Sequence, residues 1–249
     1  PSKAYLILEE EVQPVVESNC GVNCAEHARV LAALANAKWQ LGNESAAEAL
    51  FFRALRIQAE HYGWQHLTVA KTMINLGNVY CSLHRPNRAK ALLHRAGRVM
   101  ALECGERHVD VALASVNLAN TEWMLGKRDE ARNRLERAHA TLSEHWGNNH
   151  EDVAKIASNL GSVHLQCGRI PEAQNLCKQA VSTLTSKYGE DHFETAKAKV
   201  NLAQVCLRTG DRDDREEAAM LLEGASQAFE MHFDVGHLQV DKVVNLLAR

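Results

Sequence analysis

Apolar residues recur along this chain with the period of an α-helix, and strand-like alternation is absent. In "VAKIASNLGSVHLQCG", Val153, Ile156, Leu160, Val163 and Cys167 follow spacings of i, i+3, i+4 and i+7. The next segment, "PEAQNLCKQAVSTLTSKYG", has a similar periodicity and opens with proline and glutamate, which suit a first helical turn. The pattern therefore predicts an all-α fold built from pairs of helices.

The pair of helices repeats along the chain at a fixed interval of 42 residues, which is the distance from His66 to His108. Two glycine columns keep the same interval and stand where helices are expected to end, a position that favours a residue with positive φ. The repeated residues are His66, His108, His150 and His192; Asn75, Asn117, Asn159 and Asn201; Leu76, Leu118, Leu160 and Leu202; Gly21, Gly63, Gly105, Gly147 and Gly189; Gly42, Gly126, Gly168 and Gly210.

One helical pair cannot bury its own apolar stripe, so consecutive pairs are expected to stack into a single array over 1-249. Residues 1-23 are predicted to be the second helix of a preceding repeat, which Pro14 should bend or shorten. Residues 237-249 are predicted to be the first helix of a following repeat. The full repeats between them are predicted at 24-65, 66-107, 108-149, 150-191 and 192-236.

The charge, the hydropathy and the cysteines of the chain limit which partners and which cellular compartment the sequence predicts. The net charge of −3 provides no overall attraction to nucleic acid or to an anionic membrane, and no apolar run is long enough to cross a bilayer. The seven cysteines are an odd number, and Cys20 and Cys24 lack a second pair, so all are predicted to be core or surface thiols. The sequence therefore predicts a soluble, cytoplasmic protein with no nucleic-acid or membrane partner.

No catalytic signature is present in a fitting context: the chain lacks a glycine-rich phosphate loop, an HExxH motif and a serine elbow. Histidine pairs such as His61 and His66 have no recurring cysteine or acid to complete a metal site. We therefore predict no enzymatic activity, no cofactor and no metal, and a structural role for the histidine column.

Small residues occupy the positions that are typical of tetratricopeptide repeats, for example Gly77, Ala89 and Ala96. With the 42-residue interval and the closing Tyr-Gly or Trp-Gly pairs, as at Tyr188 and Gly189, the sequence resembles the kinesin-light-chain type of this repeat over essentially its whole length. The resemblance implies a right-handed α-solenoid superhelix of stacked helix-turn-helix repeats, with a concave groove lined by the first helix of each repeat.

Cationic and amide side chains share one face of the first helices. Lys71, Asn75 and Asn78 are four and three residues apart, which places them on one side of a helix, and stacking would align them with their equivalents. The predicted peptide-binding residues are Arg29, Lys71, Asn75, Asn78, Asn117, Asn120, Lys155, Asn159, Ser162, Lys197 and Asn201, and a three-residue shift adds Lys242 to the cation column.

This face suits a peptide ligand with acidic residues or a free C-terminus. An asparagine amide can both donate to and accept from a peptide backbone, and lysine or arginine forms charge-assisted bonds to carboxylates. The resemblance adds two precedents: Lys71, Asn75, Asn117 and Lys155 match the carboxylate clamp of chaperone-binding tetratricopeptide domains, with Asn159 where arginine is expected. Kinesin light chains use the same column of asparagines in a groove that binds a tryptophan flanked by acids.

Alternatives remain open at this point. The asparagine column equally suits hydrogen bonds between neighbouring repeats that hold the stack together. The predicted function is a non-catalytic protein-interaction scaffold, with a cargo or adaptor module as one form of it. The alternatives are a sensor or regulatory arm of a larger enzyme or signalling protein, and a module that self-associates through its open repeat ends.

Overall fold

The computed structural model describes residues 5–232 and residue 243, and its regular structure is entirely helical within them. The predicted all-α fold is confirmed. The helix predicted at 237-249 and the cation Lys242 lie outside the described residues, apart from Val243. A π-helical segment, Ile7–Val12, is followed by α1 (Gln13–Cys20), α2 (Ala25–Gln40), α3 (Glu44–Tyr62), α4 (Leu67–Ser82), α5 (Pro86–Cys104), α6 (Val109–Met124), α7 (Arg128–Trp146), α8 (Glu151–Gln166), α9 (Ile170–Tyr188), α10 (Phe193–Thr209) and α11 (Arg212–His232).

Each even-numbered helix from α4 to α10 begins directly after the repeated histidine, which is its N-cap. The Nδ1 atom of this histidine accepts a hydrogen bond from the backbone N–H two residues later, at 3.1 Å for His66 and His108 and 3.2 Å for His150 and His192. Three of the rings also stack on the aromatic residue that ends the preceding helix, as Tyr188 does with His192 at a centroid distance of 4.4 Å. The predicted structural role of the histidine column is confirmed, because an N-cap acceptor satisfies a donor that the helix leaves free.

The reversal between the two helices of a repeat uses one residue with positive φ. Gly126 and Gly168 have φ of +76° and +78°, and their neighbours close the turn with backbone hydrogen bonds to the end of the first helix. His84 occupies the same place between α4 and α5 and adopts a φ of 54°, which a residue with a Cβ atom rarely does.

The chain divides into two compact units, Pro1–Arg134 and Leu135–Arg249, and the division falls within α7. In the first unit, α2 packs on α3 and α4 packs on α5, around buried side chains that include Phe51, Met73 and Leu93. In the second unit, α8 packs on α9 and α10 on α11, with Leu222 and Phe229 in the core. Helical pairs therefore stack within each unit, as the repeat predicts.

Glycines bring the two helices of some repeats close together. A Cβ atom added at Gly77 would lie 2.8 Å from Cγ of Leu93, and one added at Gly161 would overlap Sγ of Cys177. Glycine at these two positions lets a side chain of the second helix reach the backbone of the first.

The N-terminal segment departs from the prediction at its two cysteines. Cys20 and Cys24 form a disulfide, so the prediction of thiols at these positions is wrong. Cys24 stands in the histidine column, and its Sγ accepts a hydrogen bond from the backbone N–H of His27 at the start of α2. Pro14 lies in the first turn of α1, where the π-helical segment ends, because proline has no N–H to continue the earlier hydrogen-bond pattern.

Candidate peptide-binding surface

In the first unit, the predicted site residues lie on the outside of neighbouring first helices. Arg29 is on α2, the Lys71, Asn75 and Asn78 set is on α4, and the Asn117 and Asn120 pair is on α6. All are exposed or half-buried.

Polar contacts join the three first helices of this unit side by side. The Nε1 atom of Trp39 on α2 donates to Oγ of Ser82 on α4 at 3.1 Å. Between α4 and α6, Sγ of Cys81 and Oγ1 of Thr121 are 3.2 Å apart. The predicted amide and cation positions of the first unit therefore lie on adjacent helices.

In the second unit, Lys155, Asn159 and Ser162 lie on α8, and Lys197 and Asn201 lie on α10. All five are half-buried, so each keeps part of its side chain in contact with solvent.

The lysines of the column are already paired with acids. The Nζ atom of Lys155 is 3.0 Å from Oδ1 of Asp152, and Nζ of Lys197 is 3.2 Å from Oε2 of Glu194. Lys71 has threonine in place of the acid three residues earlier, and its Nζ lies 3.9 Å from Oδ2 of Asp110 on the next first helix. A ligand carboxylate would have to exchange with these acids, so the row attracts anions less than its lysines alone would indicate.

These acids were not included among the predicted site residues, although the i, i+3 spacing of acid and lysine was visible in the sequence. Arg29 differs from the lysines, since it makes no ion pair with any residue that the structure describes.

Lys155 has the most defined surroundings of the cations. Burial by itself lowers the pKa of Lys155, but hydrogen bonds and charge interactions with Asp152 and Tyr188 outweigh it and raise the pKa above its usual value. The Nζ atom lies 5.4 Å from the centre of the Tyr188 ring, within the range of a cation–π interaction. Lys155 is therefore held in place as a fully protonated donor.

The asparagine column divides into two kinds of residue. The side-chain N–H₂ of Asn201 donates to Oγ of Ser158 at 2.9 Å, which ties α10 to α8. Among the described residues, the amides of Asn75, Asn117 and Asn159 make no side-chain hydrogen bond. Ser158 lies 43 residues before Asn201. The residues at the same distance before Asn75 and Asn117 are an alanine and an isoleucine, and neither side chain can accept a hydrogen bond.

The two interpretations of this column thus apply to different residues. Asn201 holds neighbouring repeats together, whereas Asn75 and Asn117 present unused donors and acceptors on the face of α4 and α6.

A small cavity lies beside Arg29, where the N-terminal segment meets α2. Its volume is about 320 Å³, and its lining combines the apolar side chains of Leu8, Val16 and Val30 with Glu26 and Arg29. The cavity adds an apolar recess next to the one cation of the column that has no ion pair among the described residues.

Two groups of side chains place three candidate metal ligands near one another within the described part of the chain. The first contains Cys20 and Cys24, whose sulfurs are joined as a disulfide, together with Glu26. The second contains Cys206, Asp214 and Glu217, where burial and then the two carboxylates raise the pKa of Cys206 to about 11. Neither group offers a ready thiolate, which is the form of cysteine that binds metals.

Family comparisons agree with this architecture. A tetratricopeptide repeat model matches residues 68–144 and 152–231, and a second tetratricopeptide repeat model matches residues 28–61. The chain belongs to the tetratricopeptide repeat family, which is in general a non-catalytic interaction fold. No curated protein sequence matches the chain significantly.

The solved structures with a similar fold include kinesin-light-chain-like repeat proteins. The chain is 21% identical to a putative kinesin light chain with nearly identical TPR-like repeats from Podosopora anserina, with a TM-score of 0.66 over 85% of this chain and 99% of that one. It is 19% identical to BtubC (BKLC) from P. vanneervenii, with a TM-score of 0.72 over 93% and 91% of the two chains. A Rap protein complexed with competence and sporulation factor is 16% identical, with a TM-score of 0.66 over 98% and 71%. At these identities the likeness concerns the fold.

None of the helices that the structure describes has an apolar stretch long enough to cross a lipid bilayer.

Proposed function

We propose that this protein is a non-catalytic scaffold that binds short peptide segments of other proteins along the face of its first helices. The observation that carries the proposal is the contrast within the asparagine column. Asn75 and Asn117 are half-buried, lie on adjacent helices and make no side-chain hydrogen bond to any residue that the structure describes, whereas a purely structural column would use every amide as Asn201 is used.

The amides would bind the ligand's main chain, because each can donate to a carbonyl and accept from an N–H. The flanking cations would favour acidic residues or a terminal carboxylate in the ligand. This preference is moderate, since Lys71 and Lys155 each have an acid within reach that the ligand must replace. A cargo or adaptor role in the cytoplasm, as the kinesin-light-chain resemblance implies, belongs to this proposal.

The test uses a fluorescein-labelled peptide with one tryptophan flanked on each side by glutamates, measured by fluorescence anisotropy. Replacing Asn75→Ala together with Asn117→Ala should weaken binding about tenfold, since each lost hydrogen bond contributes roughly 0.5–1.5 kcal/mol. The matched control is Asn87→Ala with Asn175→Ala, which makes the same chemical change at exposed positions of the second helices α5 and α9. The control should bind like the wild type.

Two further comparisons test the role of charge. A peptide with glutamine in place of glutamate should bind more weakly, and added salt should reduce the difference. Asp110→Asn should tighten binding of the acidic peptide, because Lys71 loses its internal partner. Equal losses in the asparagine variant and its control, or no binding by either peptide, would reject the proposal.

A further inference from the structure

The second repeat carries a cationic stripe on its second helix. From residue 61 to residue 102 the sequence contains no aspartate or glutamate. Arg88, Arg95 and Leu102 are spaced by seven residues on α5, Arg98 lies one turn beyond Arg95, and all four are exposed. Seven residues are nearly two helical turns, so these side chains form one stripe.

The last described helix, α11, carries the opposite charge with the same spacing. Glu216, Glu223 and Glu230 are also seven residues apart and exposed. Met220 and Met231 lie on the same side of the helix. The acidic stripe of α11 is therefore complementary in charge and in period to the cationic stripe of α5.

Both stripes also contain apolar side chains that are unusually open to solvent. Leu102 is 76% exposed, Met220 74% and Met231 69%, the three highest values among the large apolar side chains that the structure describes. Arginine and methionine are enriched in protein interfaces, and exposed apolar side chains rimmed by charge are typical of them.

The local ion pairs leave charges available in each stripe. Arg98 and Glu223 make no ion pair with any described residue, and Arg95 rests over the Trp64 ring with 4.6 Å between the guanidinium and the ring centre. Arg88 lies 3.9 Å from the half-buried Glu48, and Glu216 lies 3.3 Å from the exposed Arg212. The central arginines and the central glutamate can thus form new pairs at little cost.

We infer that α5 of one molecule binds α11 of a second copy of this chain, with the two stripes in contact. The occupant is a second copy rather than nucleic acid, because α11 supplies both the matching acids and the apolar side chains that Leu102 needs to be covered. Two different surfaces meet in this contact, so the association is head-to-tail and can continue from molecule to molecule. It uses second helices and is separate from the proposed peptide-binding face.

The experiment measures self-association by sedimentation velocity over a range of protein concentrations. Arg95→Gln with Arg98→Gln, and separately Glu223→Gln with Glu230→Gln, should each weaken association about tenfold or more. Each variant keeps one intact stripe, so an equimolar mixture of the two should form a one-to-one dimer and no larger species. Raising NaCl from about 50 to about 500 mM should weaken wild-type association, because salt screens exposed charges.

The matched control is Arg53→Gln with Arg56→Gln on α3, one repeat earlier in the same columns as Arg95 and Arg98. This control removes the same charge from exposed positions, but α3 has glutamate where α5 has Leu102. The control should associate like the wild type. A wild type that stays monomeric at about 100 μM in low salt, variants that associate normally, or a mixture that fails to dimerise would each overturn the inference.

Discussion

His84 provides a direct test of how the repeat controls stability. The other described turns between the two helices of a repeat have glycine at this place, and the backbone bonds are the same: N–H of His84 donates to the carbonyl of Cys81 at 3.0 Å, and N–H of Gly126 to that of Trp123 at 3.0 Å. The His84 side chain is exposed and makes no hydrogen bond, ion pair or ring contact with the described residues that His84→Gly would lose.

The expected effect follows from two opposing contributions. The left-handed conformation destabilises a residue with a Cβ atom by roughly 1–2 kcal/mol. Glycine removes this strain but has more conformational freedom in the unfolded chain, which lowers the gain in stability by roughly 0.5–1 kcal/mol. His84→Gly should therefore raise the free energy of unfolding by about 0.5–1 kcal/mol.

The assay is urea unfolding followed by circular dichroism, with the reverse substitution Gly168→His as the paired measurement. Gly168 has a φ of +78° and open space around an added Cβ atom, so the substitution should lower stability through backbone strain alone. A lower urea midpoint for His84→Gly, or an unchanged midpoint for Gly168→His, would show that turn conformation does not limit stability here.

Three further predictions concern the packing, the caps and a buried thiol. Gly161→Ala should lower stability by roughly 1–3 kcal/mol, because the new Cβ atom meets Cys177 and lies 3.2 Å from the Ala173 carbonyl oxygen, whereas Gly97→Ala, in open space within α5, should raise it by roughly 0.5–1 kcal/mol in the same urea assay. His150→Ala should cost about 1 kcal/mol in thermal unfolding and His150→Asn much less, since asparagine also accepts a cap hydrogen bond; equal losses would contradict the cap. Burial raises the pKa of Cys177 to about 12 from an unfolded value of 9.0, so the folded state keeps a proton that the unfolded state releases and stability falls as pH rises above 9. Wild type should therefore lose about 1 kcal/mol more than Cys177→Ala between pH 8 and 10, and identical pH slopes would refute this.

The helical repeat could be predicted because every repeat constrains the same positions. Glycine with positive φ at the turns and histidine before the first helices from α4 to α10 follow from local backbone requirements, which the 42-residue interval makes visible. Even the exception at His84 was recognisable as a residue out of place in a glycine column.

The candidate site was predicted less completely than the fold. Its properties depend on which individual side chains contact one another, and the residues repeated at the 42-residue interval do not show this. Whether an asparagine is free or bonded depends on the residue one repeat earlier, serine before Asn201 and isoleucine before Asn117. The spacing of Asp152 and Lys155 in the sequence indicated that they could pair. Only the distance between their side chains shows that the ion pair is formed, so that a ligand carboxylate would have to replace Asp152. The disulfide of Cys20 could not be inferred from spacing alone, since a loop between two helices had to bring the sulfurs together.

The glycines at 77 and 161 show that repeats of equal length are not interchangeable parts. Leu93 fits against one glycine and Cys177 against the other, so each of these two second helices is matched to the first helix of its own hairpin. Moving a single helix between repeats would bring a bulky residue against a backbone shaped for a smaller one, or leave a hole. In the evolution or redesign of this array, the whole hairpin is the piece that can be duplicated, and the lone helix is not.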